Sequence, residues 1–159
     1  MATMKEAATE FLAKKRIAVA GVSRTPGGAH GGNVVYQRLR DRGYDVYGVN
    51  PHASGVEGDT CFPTLGSIPG GVEAVVIATR PEVAEAVMED CISLRIKHVW
   101  MHRGVGAGSV SHEAAELGRA AGLAVIEGGC PLMYDPVADV GHKMLRSVLS
   151  VVGRLPKAV

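Results

Sequence analysis

Short apolar runs alternate along the chain with longer stretches in which apolar residues recur at helical spacing. The short runs are rich in β-branched residues and poor in charge, which is typical of strands buried on both faces of a sheet. A shorter run, "TCFP" at residues 60–63, indicates a short extra strand. The five main strands are predicted over residues 16–22, 44–50, 72–79, 97–101 and 123–127.

The stretches between these runs predict helices. The helix after the first strand is expected to end at Gly43, because glycine is the usual stop signal. The sequence Thr79-Arg80-Pro81-Glu82 fits a capping box with proline in the first turn, so another helix is expected to begin there. The predicted helices cover residues 3–14, 33–43, 80–95, 109–122 and 139–152.

The apolar residues of three helices share one face each, and we expect that face to be buried. In the helices at 80–95 and 109–122 these residues are Val83, Val87, Cys91 and Leu94, and Val110, Ala114, Leu117 and Ala121. In the last helix they are Met144, Leu145, Val148, Leu149 and Val152. Apolar surface left exposed on the last helix would support a homodimer.

Repeated β–α units with apolar strands predict an α/β fold of the Rossmann-like, doubly wound type. We expect a mainly parallel sheet of five to six strands with helices on both faces. No internal repeat or linker interrupts the pattern, so residues 1–159 are expected to form a single domain, with its core at about 16–131 and a C-terminal helix at about 139–152. Ligands of such sheets bind at the carboxyl ends of the strands. The loops expected there are residues 23–32, 50–52, 79–81, 102–108 and 128–131.

Composition narrows the choice of partners. Apolar residues make up 47% of the 159 residues and charged residues 21%, as in water-soluble globular proteins. The net charge of +1 and the aromatic content of 4% argue against nucleic acid as a partner. The N-terminus lacks the apolar segment of a secretory signal, and no apolar run is long enough to span a bilayer.

The cysteines and histidines carry no metal or disulfide signature. Cys61, Cys91 and Cys130 are far apart and form no CxxC pair, and the six histidines form no HxH or HExxH pattern. We therefore expect no metal site, no disulfide framework and a cytoplasmic location.

The segment "VAGVSRTPGGAHGG", residues 19–32, is the strongest candidate site. A strand that ends in glycine and leads into a helix presents backbone N–H groups to a phosphate. The segment departs from the dinucleotide pattern G-x-G-x-x-G, because Ser23 and Pro26 replace its second and third glycines. The Ser23 hydroxyl, Arg24 and His30 are candidate phosphate contacts, and a flexible turn without a ligand is the alternative.

The end of the second strand, Asn50-Pro51, bears on the kind of nucleotide. Enzymes that bind NAD normally have an acid here for the ribose hydroxyl. A neutral Asn50 would instead tolerate a phosphate on the ribose, although a turn-forming role explains this residue equally well.

Three further residues allow more than one interpretation. Arg80 does not stabilise a helix N-terminus, so it either contacts a ligand or lies on the solvated surface. His102 precedes a glycine-rich loop, Gly104–Gly108, and is a general base, a phosphate contact or neither. Cys130 lies at a strand end, but no motif supplies the base that a nucleophile needs, so we predict no catalytic residue.

Several of these motifs together resemble a known family. "GVSRTP", the strand-end "NP", "CFPTL", the strand followed by "RP" and a final "GGCP" occur in order between about Arg16 and Pro131. They resemble the small stand-alone coenzyme A-binding proteins, which are related to the nucleotide-binding domain of the succinyl-CoA ligase alpha subunit.

The resemblance implies that coenzyme A (CoA) lies across the strand ends. The residues that match the family fall into three groups, each expected to contact a different part of CoA. Gly21, Val22, Ser23 and Arg24 match the loop that holds the phosphates, Asn50 and Pro51 the turn beside the adenosine ribose, and Ala78, Thr79, Arg80 and Pro81 the turn near the ADP moiety and pantetheine arm. His102-Arg103 stands where family members often have glutamine. The ligases carry their catalytic histidine in later domains, so ligase activity is not expected.

Three hypotheses remain open at this point. The first is a module that binds CoA or acyl-CoA without chemistry of its own, with or without a partner enzyme. The second is an enzyme that acts on a CoA thioester or CoA disulfide through Cys130 and a nearby histidine. The third is an NAD(P)-dependent oxidoreductase.

Overall fold

The structure, a computed structural model, describes residues 2–26, 31–106, 108–156 and 159. His30 lies outside the described residues. The strands are β1 (Arg16–Ala20), β2 (Asp45–Val49), β3 (Gly55–Val56), β4 (Asp59–Phe62), β5 (Ala74–Ile77), β6 (His98–Met101) and β7 (Ala124–Glu127). The helices are α1 (Met4–Leu12), α2 (Gly31–Asp41), α3 (Pro81–Ser93), α4 (His112–Ala120) and α5 (Val140–Val151).

The described strands form one sheet in the order β3-β4-β2-β1-β5-β6-β7. All neighbours are parallel except β3 and β4, which pair antiparallel as a small hairpin at one edge. The predicted doubly wound, mainly parallel fold is confirmed, and "TCFP" does contribute a strand. The sheet has one strand more than expected, because the two-residue β3 carries no apolar run that the sequence pattern could show.

The sheet separates two apolar layers. Along β1, Ile17 and Val19 pack into the layer of α1 and α2, while Ala18 and Ala20 pack into the layer of α3 and α4. This alternation is the expected period of two for a strand covered on both faces. The chain turns from one side of the sheet to the other at β1, so a crevice opens where β1 and its neighbour β5 end.

Helix α3 differs from its predicted start. It begins at Pro81 with Arg80 as the N-cap, and no side chain caps it, so the predicted capping box is wrong. The hydroxyl of Thr79 bonds to the carbonyl of Arg80 instead. The predicted buried faces of α3 and α4 are also partly wrong, because the sheet covers a narrower part of each helix than its apolar residues occupy. The buried residues are Ala84, Met88 and Cys91 in α3 and Ala114, Ala115 and Gly118 in α4, while Val83, Leu94 and Ala121 are exposed.

Helix α5 is more exposed than predicted. Leu149 is buried and Leu145 half-buried, but Met144, Val148 and Val152 are 66%, 59% and 60% exposed. The core receives the part of the apolar face that carries Leu145 and Leu149. The rest of that face is an exposed apolar stripe in the described structure, formed by Val140, Met144, Val148, Val151 and Val152. No helix in the described ranges has the length and hydropathy needed to cross a membrane.

Candidate functional site

Two cavities lie side by side at the carboxyl edge of the sheet. The β2 cavity, of about 460 Å³, is bounded by the ends of β1 and β2 and by α3. The α5 cavity, of about 480 Å³, is bounded by the start of α2, the loop after β6 and the first turns of α5. Thr79 and Arg80 line both cavities, so this dipeptide separates two halves of one groove.

The sequence-predicted residues in the described part of the chain all lie at this edge. Ser23, Arg24 and Pro81 line neither of the two cavities. The β2 cavity is lined by Gly21, Val22, Asn50, Pro51, Thr79 and Arg80, and the α5 cavity by Ala78, Thr79, Arg80 and His102.

Gly21 brings the ends of β1 and β5 into direct contact. Its φ of +98° lies in the region that side chains disfavour, and a Cβ there would stand 2.6 Å from the Ala78 carbonyl carbon and from the Thr79 nitrogen. Only glycine fits between these backbones. The turn at residues 78–80 is therefore positioned by the absence of a side chain at residue 21.

Asn33, in the first turn of α2, holds the loop that follows β1. Its side chain is buried, and its Oδ1 accepts from the Ser23 N–H at 2.6 Å while its Nδ2 donates to the Ser23 carbonyl at 2.8 Å. Nδ2 also donates to Glu57 in the β3–β4 turn at 2.9 Å. Sequence reasoning missed Asn33, although a polar residue just inside the helix after a glycine loop was a visible signal.

These bonds limit what the loop offers to a ligand. The Ser23 N–H is occupied, and its Oγ accepts from the Thr25 N–H at 3.1 Å. Among the described residues, no acceptor takes the hydroxyl proton. Val22 lines the β2 cavity but is almost completely buried. Arg24 is exposed and makes no hydrogen bond or ion pair within the described residues.

Asn50 links the ends of β1 and β2. Its Nδ2 donates to the Val22 carbonyl at 2.7 Å, and its Oδ1 accepts from the His52 N–H at 2.8 Å. The turn-forming role is thus present in the structure, with both ends of the amide engaged. Pro51 and His52 are exposed at the rim of the β2 cavity.

Arg80 lines both cavities, and no other arginine or lysine of the described chain lines either one. It is exposed at the start of α3, and its guanidinium has no hydrogen bond or ion pair with any described residue. Arginine at a helix N-terminus is unfavourable for the helix dipole, so the helix does not explain its presence. Its charge is available to an anion that spans the two cavities.

His102 follows β6 and packs on the first residue of α2. A Cβ on Gly31 would stand 2.6 Å from the His102 Cε1, so the imidazole covers this helix end closely. Burial, followed by the nearby His142, lowers the pKa of His102 to about 4. At neutral pH the imidazole is uncharged and can offer one N–H and one lone pair, but no positive charge.

Cys130 lines the α5 cavity but is only 4% exposed. Burial raises the pKa of its thiol to about 12, and no histidine in the described chain is hydrogen-bonded to it. A nucleophilic cysteine needs a lowered pKa and a base in contact. The thiol is therefore protonated and unactivated as it stands.

An Asp–His pair on α5 was not anticipated from the sequence. Asp139 caps α5 and accepts from the His142 backbone N–H at 2.8 Å, while both of its oxygens lie 2.9 Å from His142 Nδ1. Arg38 of α2 holds Asp139 at 2.7 Å. Hydrogen bonds from the His142 backbone and ring, together with the charge of Arg38, lower the pKa of Asp139 to about 2. The D-x-x-H spacing at a helix start was the available signal.

The family of this chain follows from a comparison of its sequence with models of known protein families. The family model for the CoA binding domain matches residues 15–136, which is more than half of the chain. The chain belongs to the CoA-binding domain family. The resemblance seen in the sequence motifs is confirmed. The matched region contains strands β1 to β7 and the turn at Thr79 and Arg80 that lines both cavities.

Relatives of this CoA-binding domain include large ligases and small proteins. It is 35% identical over 85 residues to the ADP-forming acetate–CoA ligase II of Archaeoglobus fulgidus, and this match covers 52% of this chain and 12% of the ligase. It is 28% identical over 116 residues to the uncharacterized protein YneT of Bacillus subtilis, and this match covers 73% of this chain and 82% of YneT. The chain thus matches only a small part of the ligases.

Solved structures support the same grouping. A hypothetical protein from Pyrococcus horikoshii has a TM-score of 0.73 and 31% identity, and the match covers 81% of this chain and 87% of that one. The dinucleotide-forming acetyl-coenzyme A synthetase 1 of Candidatus Korarchaeum cryptofilum, in complex with phosphate and ADP, has a TM-score of 0.58 and 25% identity. That match covers 74% of this chain and 26% of the synthetase.

Metal ligands are not assembled in the described residues. No group of three or more histidine, cysteine or acidic side chains there has the geometry to hold an ion. The groups that line the two cavities include the Arg80 guanidinium, the imidazoles of His52, His102 and His142, the Cys130 thiol, several hydroxyls and the Asp90 carboxylate.

Proposed function

We propose that this CoA-binding domain binds CoA or an acyl-CoA along the carboxyl edge of its sheet, without covalent catalysis by its own cysteines. The observation that carries the proposal is the pair of cavities that meet at Thr79 and Arg80. CoA has two unlike ends, a phosphorylated adenosine and a pantetheine arm, joined by a diphosphate. Two cavities of ligand-binding size with a cation between them suit such a molecule.

The β2 cavity suits the adenosine end. Leu65 and Val87 supply apolar surface for the base, and Pro51 stands at the rim beside the strand end. Asn50, at the end of β2, is neutral, so it does not repel a phosphate on the ribose as an acid would. This feature favours CoA over NAD and is the main argument against an oxidoreductase.

The junction of the cavities suits the diphosphate. Arg80 offers an unpaired guanidinium, and the first turn of α2, at Gly31 and Gly32, lies on the other side. A helix N-terminus and an arginine both favour phosphate oxygens. The Ser23 hydroxyl and Arg24 lie on the loop just beyond, where a shift of the loop would add them to the site.

The α5 cavity suits the pantetheine arm and its thiol. Its walls include Val35, Leu132 and Leu145, which match an aliphatic chain, and His102 and Cys130 also line it. The raised pKa of Cys130 argues against the alternative in which this cysteine attacks a CoA thioester or disulfide.

Isothermal titration of the whole chain with CoA, acetyl-CoA, dephospho-CoA, NADH and NADPH tests the proposal. CoA is expected to bind, and dephospho-CoA to bind more weakly. Arg80→Gln is expected to weaken CoA binding about tenfold, whereas Arg95→Gln, at an exposed arginine on the opposite edge of the sheet, should leave it unchanged. Binding of NADPH with none of CoA would refute the proposal.

A further inference from the structure

We infer that His142 accepts the proton of the ligand thiol in the α5 cavity, so that bound CoA is held as a thiolate. The inference rests on the proposed function, because it assigns the end of CoA that the α5 cavity receives. It adds an activity, thiol activation, to a domain that otherwise only binds.

The Asp139–His142 pair has the geometry of an oriented base. Both oxygens of Asp139 lie 2.9 Å from His142 Nδ1, so the proton of the neutral ring is held on that nitrogen. Nε2 then carries the lone pair, and it has no hydrogen bond with any described residue. Arg38 fixes the carboxylate at 2.7 Å, which prevents the pair from rotating away.

His142 lines the cavity together with the groups that would surround a thiol. The described titratable and charged groups around it are Asp139 on its own helix, Arg38 of α2 against Asp139, and His102 and Cys130 on the wall of the same cavity. His102 is neutral and Cys130 protonated, so neither competes as an anion. Asp139 supplies the negative charge that stabilises an imidazolium.

His142 is an oriented base on the wall of this cavity, and its Nε2 has no partner among the described residues. Such a base points to an acidic ligand group beside it, and a thiol is the acidic group at the end of CoA that this cavity would receive.

The proposed step is a simple proton transfer. The S–H bond of the ligand breaks heterolytically, the proton passes to Nε2 of His142, and the sulfur keeps the electron pair. The products are a thiolate and an imidazolium paired with Asp139. No oxidant, metal or second substrate is needed, and the thiolate is ready for an acyl or disulfide partner supplied from outside.

The ionisation of the bound thiol tests the inference directly. The thiolate absorbance of saturated CoA complex is followed against pH, with the same titration of the free chain subtracted. We expect the bound thiol to ionise about one pH unit below the thiol of free CoA. His142→Gln should restore the value of free CoA. Asp139→Asn, which keeps a good helix cap, should restore it in part.

His98→Gln is the matched control, because His98 lies at the opposite edge of the sheet, at the start of β6. It should keep the lowered ionisation pH. If CoA binds but its thiol ionises as in free CoA, or if His142→Gln leaves the lowered value in place, the inference is refuted and the proposed function stands. If CoA does not bind at all, both are refuted.

Discussion

Asn33 clamps the backbone of Ser23 from both sides, with its Oδ1 on the Ser23 N–H at 2.6 Å and its Nδ2 on the Ser23 carbonyl at 2.8 Å. The loop after β1 is thus shaped by a buried amide ten residues further along the chain.

Replacing Asn33 by alanine should therefore loosen this loop. We expect Asn33→Ala to lower the free energy of unfolding by about 1–3 kcal/mol, because the Ser23 N–H loses its acceptor, and to weaken CoA binding. Chemical denaturation and calorimetric titration measure the two effects. Gln37→Ala is the control, since Gln37 bonds to Glu57 at 2.8 Å without touching the loop. Equal losses of CoA affinity in both variants would contradict this role of Asn33.

A methyl group at residue 21 should separate the ends of β1 and β5. Gly21→Ala would place a Cβ 2.6 Å from backbone atoms of residues 78 and 79, and we expect overpacking of about 1–3 kcal/mol in addition to the left-handed strain. Gly43→Ala is the matched control, because Gly43 also has a positive φ, of +84°, but nothing lies within 4 Å of its Cβ position.

Thermal denaturation and CoA titration of both glycine variants separate strain from collision. Gly43→Ala should show only the left-handed strain, about 1–2 kcal/mol, with normal CoA affinity. Gly21→Ala should lose more stability and also CoA affinity. If the two variants behave alike, the close approach of residues 21 and 78 does not matter for the site.

A carboxylate at the end of β2 should select against the ribose phosphate. We expect Asn50→Asp to weaken CoA binding about tenfold, because it sets a negative charge beside the phosphorylated ribose. Dephospho-CoA is the internal control, since it suffers the same loss of the Asn50–Val22 hydrogen bond but lacks that phosphate. An equal loss for both ligands would place the ribose phosphate elsewhere.

The free energy of unfolding should fall as the pH is lowered from about 6.5 to about 4, because folded His102 stays neutral in this range. Its pKa is lowered to about 4 in the folded chain, mainly by burial, and is near 6.5 when unfolded. Between these values the unfolded state binds the proton and the folded state does not, so stability rises with pH there and levels off above about 6.5.

Denaturation of the chain between pH 4 and 7 measures this slope. His102→Gln should flatten it, while His112→Gln, at a histidine that is 71% exposed, should not. The lowered pKa of Asp139, about 2, acts in a separate window, because its contribution is lost only as the pH falls below about 4. An unchanged slope in His102→Gln would show that His102 is not the group responsible.

Much of the fold was predictable because it depends on local patterns. The five main strands and five helices follow from apolar periodicity and glycine stops, and the carboxyl-edge loops follow from the parallel topology. The exposure of Met144 and Val148 was not predictable in this way. Periodicity shows which residues of a helix are apolar, but the area of the core that receives them depends on the whole assembly.

The candidate site was predictable in part for the same reason. Gly21 and Asn50 stand at strand ends, so their positions follow from topology. Asn33, Asp139 and His142 act through contacts with residues 10, 101 and 3 positions away, respectively. The contact of Asp139 with Arg38, across 101 positions, forms only when α2 and α5 pack together, and a single sequence does not show which polar residues then meet.

The β3–β4 hairpin, through Glu57, shares a hydrogen bond with the same Asn33 that holds Ser23. No residue of β3 or β4 lines either cavity in the described structure. This edge of the sheet nevertheless supports the loop after β1 through the Asn33 side chain. We expect a longer or shorter hairpin to change CoA affinity indirectly, with no change in the residues that line the groove.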